Sequence, residues 1–293
     1  MANAAPGRLY VVATPIGNLG DFSPRARETL AACALIAAED TRHSAVLLRH
    51  FGITTPLVSL HGHNEHERTP MLIARIAGGE DVALISDAGT PAISDPGQTL
   101  VHAAAVAGIE IVTVPGPCAA IAALSIAGLP TAAFAFEGFL PSRGAARRRR
   151  LGELAAEPRT LVFYEAPHRL REMLEDCATT LGRERRAAIA RELTKLHEKL
   201  HRGALGELAR LATQEPSLAR GELVVVIEGA TEVEEGDSVT ADLDRALRVL
   251  LAELPLAQAA RLAARLVGAR DNEAYRRALA LRAADAASGD PST

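Results

Sequence analysis

Short apolar runs, each closed by a turn of small residues and followed by a helix-like segment, constrain this chain more than any other feature. Leu9–Ala13 ends in Thr14-Pro15-Ile16-Gly17-Asn18, Val82–Ser86 in Asp87-Ala88-Gly89-Thr90-Pro91, and Ile111–Val114 in Pro115-Gly116-Pro117. Leu35–Ala38 and Leu57–Ser59 are runs of the same kind. Apolar runs this short, alternating with helical segments, are the pattern of a parallel sheet covered by helices on both faces. Ser23-Pro24 opens one such helix through Ala31, with Ser as N-cap and Pro in the first turn. Further helices are predicted up to Phe51, up to Ile76 and over Gly97–Ala107.

The pattern restarts after Gly128-Leu129-Pro130. Strands are predicted at Phe134–Phe139, Thr160–Tyr164, Ala187–Arg191 and Leu223–Glu228, with helices at Arg147–Ala155 and His168–Leu181. Thr231–Val239 is acidic and polar and reads as a linker. Three helices follow, near Ala241–Glu253, Pro255–Val267 and Asn272–Leu281, with Gly268 as a stop signal. The predicted fold class is therefore α/β: two successive α/β domains with mainly parallel sheets, residues 1–119 and 120–230, then a small C-terminal helical domain at 240–285. A chain of 293 residues is long enough to bury such cores. Aromatics are only 3% and Trp is absent, so Ala, Leu, Val and Ile must fill them.

The formal net charge of −4 gives the whole chain no pull toward nucleic acid, so a nucleic-acid role needs a local basic patch. Arg147, Arg148, Arg149 and Arg150 form the only dense basic run, either a contact for RNA phosphate or a solvated helix face. Nearly all other cations are also Arg; Lys occurs only at Lys195 and Lys199, spaced one helical turn apart in a single segment. Cys33, Cys118 and Cys177 show no paired spacing, which argues for a reducing compartment without disulfides or a zinc site. The apolar stretch Val101–Phe136 is interrupted by Pro115, Gly116, Pro117, Gly128 and Pro130, and the first residues lack a signal-peptide pattern. The expectation is a cytoplasmic protein with no membrane span.

Four strands end in loops of small or turn-forming residues: Thr14–Asn18, Asp87–Pro91, Pro115–Ala119 and Tyr164–Pro167. Ligands of open parallel sheets bind at such strand ends, where Gly17, Gly89 and Gly116 let a ligand approach the backbone. Ordinary strand-to-helix turns favour the same residues. No GxGxxG follows the first strand and no GxxxxGK[ST] occurs, which disfavours a Rossmann dinucleotide site and excludes the P-loop hydrolases.

Seven segments occur in order: LYVVATPIGNLGDFSPRA, AAEDTRH, ALISDAGTPAISDPG, VPGPCAA, RTLVFYEAPHR, ARELTKLHE and GELVVVIEG. Together they resemble the small-subunit ribosomal RNA 2′-O-ribose cytidine methyltransferase family of the tetrapyrrole methylase superfamily. AELPLAQAARLAARLVG is similar to that family's helical extension. The resemblance implies S-adenosylmethionine held in a cleft between two domains, with no metal, and usually a homodimer. It places Asp87, Ala88, Gly89, Thr90 and Ile93 in the cofactor loop, alongside Pro15 and Gly17 from the first loop. Cys118 and Ala119 match a pair that contacts the cofactor's methionine part, Tyr164 a Tyr-Met region, and Leu193 a backbone contact near the adenine. The loop departs from the Gly-Gly-Asp-Pro form, and Glu165 stands where relatives often carry Met.

A sulfonium methyl group is already activated, so alignment of nucleophile, methyl and leaving sulfur is the main requirement. A ribose hydroxyl is a poor nucleophile, and a base or positioning group helps by about 10²–10⁴-fold. Glu192 and Lys195, with Arg191, Thr194 and Glu198 around them, form the cluster favoured for substrate handling; a surface ion pair is the other reading. Asp40 and Arg42 form a second candidate to grip ribose or phosphate, or else a helix cap. His61, His63, Asn64, Glu65 and His66 suggest a polar loop facing RNA, with Asn64 as a contact, rather than a metal centre. The expected substrate is ribosomal RNA within the small subunit. The alternative is a tetrapyrrole or corrinoid precursor on the same fold, and a non-catalytic RNA-binding assembly factor is a third.

Overall fold

A computed structural model describes residues 6–230 and 235–288 of the chain. Its first sheet is built from β1 (Leu9–Val12), β2 (Leu35–Ala38), β3 (Leu57–Ser59), β4 (Val82–Ile85) and β5 (Ile111–Val114), all parallel, in the order β3-β2-β4-β1-β5. The crossovers carry α1 (Pro24–Ala32), α2 (Thr41–His50), α3 (Glu65–Ala77) and α4 (Gln98–Val106). Every residue of β2 and β4 is buried, which is why these strands read as unbroken apolar runs. Ser23 caps α1 as expected, its Oγ accepting the Ala26 N–H at 3.1 Å.

The second sheet departs from the expectation of mainly parallel pairing. It contains β6 (Phe134–Phe139), β7 (Thr160–Glu165), β8 (Arg186–Arg191), β9 (Lys199–Ala204) and β10 (Leu223–Ile227) in the order β6-β7-β10-β8-β9. Only β6 and β7 are parallel; β10 runs antiparallel to both β7 and β8, and β8 antiparallel to β9. The reason for the last pairing is local. The segment 192–198 is too short for a crossover, so β8 must fold straight back into β9. Lys195 and Lys199 consequently lie on this connection and on an edge strand, not on a helix.

α5 (Ala119–Ala127) packs on β7, β8 and β10; α6 (Gly144–Glu153), α7 (Leu170–Leu181) and α8 (Leu205–Gln214) complete the second layer. Alternate residues of the second sheet serve two cores. Leu161, Phe163, Ile189, Val225 and Ile227 join one core with α6, α7 and α8. Val162, Tyr164, Ala188, Ala190, Val224 and Val226 face the other way, toward α5 and Ile16 from the loop after β1. Both sheets belong to one compact unit that ends at Ala230.

The tail is a separate unit of three helices, α9 (Glu235–Glu253), α10 (Leu256–Val267) and α11 (Asp271–Ser288). Its core is Leu243, Leu247, Ala260, Ala263, Ala264, Ala274 and Ala278, and Gly268 ends α10 in the left-handed conformation. The linker expected at Thr231–Val239 falls partly outside the described residues; Glu235–Val239 belongs to α9. No described helix is long and apolar enough to cross a membrane.

Candidate active site

The loops after β1, β4 and β5 converge on the second sheet's inner face. Thr14 and Gly89 exchange backbone hydrogen bonds at 2.9 and 3.1 Å, and Thr90 Oγ1 donates to the Pro117 carbonyl at 3.0 Å. Gly89 has φ +84°, and a Cβ there would lie 3.2 Å from Ile16 Cγ2. Only glycine combines that conformation with that approach. The tied loops form one wall of a cavity of about 370 Å³, and the second sheet forms the other.

Of the expected cofactor residues, Ala88, Gly89, Thr90, Ile93, Cys118, Ala119, Tyr164 and Leu193 line this cavity. Tyr164 is set by its surroundings. Its hydroxyl accepts the Ala120 N–H at 3.2 Å at the start of α5, and Phe136 and Phe139 stand edge-on to its ring at 4.9 and 5.7 Å. Burial, followed by the neighbouring Cys118, pushes the phenol above its ordinary range, so it stays neutral.

The lining holds the carboxylates Asp95 and Glu222 but no Lys or Arg. Glu165 reaches the cavity through its backbone, because its side chain has no exposed surface and pairs with Arg169 at 3.1 Å. Asp95 is raised from the usual carboxylate range by burial, against a hydrogen bond from Ser86, with Asp87 adding repulsion. Glu39 is raised likewise, by burial first and then by Asp95 and Asp87. A lining with Asp95 and Glu222 and no Lys or Arg disfavours phosphates, while Glu222 shares its charge with Lys195 on the neighbouring cavity. The sequence reading missed Asp95 and Glu222, although SDPG and GELVV were both among the recognised segments.

A second cavity of about 390 Å³ adjoins the first and shares Ile16, Ala88 and Glu222 with it. Pro15, Gly17, Asp87 and Lys195 line this one instead. Gly17 packs so closely on Lys195 that a Cβ would collide with its aliphatic stem. Lys195 Nζ lies 3.0 Å from Glu192 Oε1 and 3.2 Å from Glu222 Oε2, and Glu192 Oε1 also accepts the Glu222 N–H at 2.9 Å. Burial opposes both charges, yet the hydrogen bonds win: Lys195 is held above its ordinary value and Glu192 below its own. Lys195 is therefore a cation and Glu192 an anion at neutral pH. Glu192 and Thr194 have φ of +53° and +65°, strained geometry for residues with side chains.

Other expected contacts are used elsewhere. Asp40 caps α2, accepting the Arg42 N–H at 2.8 Å, and forks the Arg42 guanidinium, so this pair lines neither cavity. Asn64 braces its own loop, accepting from the His61 N–H at 2.8 Å and donating to the Ser59 carbonyl at 3.2 Å. Glu65 is buried and accepts the Gly97 and Thr99 N–H groups at 3.0 and 2.7 Å, at the start of α4. Among the described residues no cluster of three His, Cys, Asp or Glu could hold a metal ion.

The basic run needs correction at Arg147. This side chain is 3% exposed and pairs with Asp176 at 2.6 Å, which removes it from any RNA contact. Arg150 is engaged by Glu137 and Glu153, and Arg148 reaches Asp176 at 3.3 Å, while Arg149 is exposed. Successive residues of α6 point in different directions, so one run serves both core and surface.

Two α/β layers enclosing a carboxylate-edged cavity at strand ends define the architecture of a methylase of the tetrapyrrole type. The family model "Tetrapyrrole (Corrin/Porphyrin) Methylases" matches residues 8–209, and an "RsmI C-terminal HTH domain" matches residues 237–282. A curated relative, ribosomal RNA small subunit methyltransferase I of Pseudomonas aeruginosa, is 56% identical over 93% of this chain and 97% of its own. The protein of the same name from Escherichia coli O157:H7 is 50% identical over 95% and 96%. Among solved structures, uroporphyrin-III C-methyl transferase from Thermus thermophilus complexed with S-adenyl homocysteine aligns with a TM-score of 0.53. That alignment has 18% identity and covers 76% of this chain and 97% of that one, a likeness of fold. The chain belongs to the tetrapyrrole methylase family, and within it to the ribosomal RNA small subunit methyltransferase I group.

Proposed function

We propose that the chain transfers the methyl group of S-adenosylmethionine to the 2′-hydroxyl of a cytidine in small-subunit ribosomal RNA. The observation that carries the cofactor reading is the first cavity, whose lining joins carboxylates to small, apolar and uncharged polar residues and includes no Lys or Arg. Those residues fit a sulfonium and an α-ammonium better than any phosphate-bearing cofactor. The relatives' names support ribosomal RNA as the substrate. Ala88, Gly89, Thr90, Ile93, Cys118, Ala119, Tyr164 and Leu193 would hold the cofactor, which supplies an activated methyl group.

When bound, the cofactor would supply a methyl group already activated on its sulfonium, with the sulfur as leaving group and water as the acceptor of the 2′-hydroxyl proton. The chain's own contribution is alignment. Glu192 and Glu222 fix the Lys195 ammonium at the edge shared by the two cavities, where it donates to the acceptor oxygen. Because Lys195 is held protonated, it orients that oxygen rather than taking its proton. We place the enzyme in the cytoplasm as a homodimer acting on the small subunit.

The test incubates the protein with radiolabelled S-adenosylmethionine and small subunits that lack the modification, then identifies the labelled nucleoside. Label in 2′-O-methylcytidine is the expected result. Cofactor binding without any RNA label would favour a tetrapyrrole acceptor, which a corrinoid substrate would then reveal.

A further inference from the structure

The second cavity adjoins the first and opens on the same edge. It meets the first at Ile16, Ala88 and Glu222, and Asp87 and Lys195 stand on its side of that edge. Its outer wall is one face of α2, where His43, Val46, Leu47 and His50 fall at helical spacing. The sequence reading assigned no role to either histidine. Both are exposed, and the His50 ring also stands edge-on to that of Phe51 at 4.7 Å.

These features match one ligand chemistry. A volume of about 390 Å³ lies within the range of small-ligand sites of roughly 300–1,000 Å³ and admits one nucleoside but not a stacked duplex. An imidazole offers a flat face for a nucleobase and ring nitrogens for its polar edge, and Val46 and Leu47 supply apolar surface between the two rings. The ammonium of Lys195 and the carboxylate of Asp87 suit ribose hydroxyls, which both donate and accept. Enzymes that modify a nucleotide inside folded RNA take it out of its stack first, and a pocket beside the methyl donor is what such a nucleotide needs.

We propose that this cavity is the acceptor-nucleoside site, with the unstacked base held against His43 and His50 and the ribose turned toward Asp87 and Lys195. The inference rests on the ribosomal RNA reading above. The base then lies on the first lobe while the aligning ammonium comes from the second, so the 2′-oxygen sits where the two cavities meet.

The test compares the full-length wild type with His43→Ala/His50→Ala and His43→Phe/His50→Phe double variants. Methyl transfer is measured against varied concentrations of unmodified small subunits, cofactor binding by calorimetry, and oligomeric state by sedimentation. The alanine variant should raise the KM for subunits about tenfold or more, as loss of base stacking does, with cofactor affinity unchanged. The phenylalanine variant should recover most of that loss, because stacking survives and only polar contacts go. An unchanged KM in an active alanine variant overturns the site. An alanine variant that sediments differently overturns it too, by showing that a second copy of the chain covers this face. A wild type that labels no RNA overturns the ribosomal reading first and this site with it.

Discussion

In the proposed reaction, Lys195 is the residue on which alignment turns. Its ammonium is pinned by Glu192 and Glu222, and both charges are stabilised by the pairing. Lys195→Ala should lower kcat by about 10²-fold, as loss of one preorganised donor does, while calorimetric cofactor affinity stays unchanged. Glu192→Gln should act in the same direction more weakly, since the amide still accepts a hydrogen bond. The lowered Glu192 and raised Lys195 keep the pair charged across the neutral range, so neither group should add a limb to the kcat–pH profile between about pH 6 and 9. Asp40 gives a contrasting test. The Arg42 side chain, then its backbone N–H, lowers the Asp40 carboxyl to about 2. Any stability from that cap is present above the unfolded value of about 3.9 and is lost as the pH falls through about 2. An NMR titration of Arg42→Ala should find the Asp40 midpoint moved back up.

Among the elements, α4 begins without a capping side chain of its own, because Gly97 stands at its N-cap. Glu65 at the start of α3 supplies the acceptor from across the layer. Glu65→Ala should therefore destabilise the fold by about 2–3 kcal/mol in denaturant titrations, the cost of leaving buried N–H groups bare. α6 separates buried from exposed arginines within four residues. Arg147→Ala leaves Asp176 short of its buried partner and should cost about 3–5 kcal/mol of stability. Arg149→Ala should leave stability unchanged and reduce the salt slope of RNA binding by about one. An Arg149 variant with an unaltered slope would leave Arg149 as part of a solvated face. The sequence made the first sheet legible, since buried parallel strands with turns at fixed ends leave a plain pattern. It hid α5, because the run from Ala119 to Ala127 is apolar on every face, and β9, because an edge strand carrying Lys199, His201 and Arg202 looks like a loop. The loops around the first cavity were readable from their small residues. The second cavity was not, because it depends on a helix face meeting a loop from the other lobe.

At the scale of the molecule, the catalytic unit and the helical tail each have their own core. Every residue lining the two cavities lies before Ala230. A chain ending at Ala230 should thus bind S-adenosylhomocysteine with unchanged affinity by calorimetry; loss of binding would assign the tail a part in building the site. The walls of the first cavity come from positions as far apart as Ile16 and Val224, and β10, the middle strand of its sheet, is the last strand to be made. During synthesis the first lobe can assemble while the second still lacks its centre, so β7 and β8 wait as separate edges. On the proposed function, a growing chain on the ribosome should have no finished first cavity for the methyl donor until β10 emerges, and an unfinished product should carry no methylating activity.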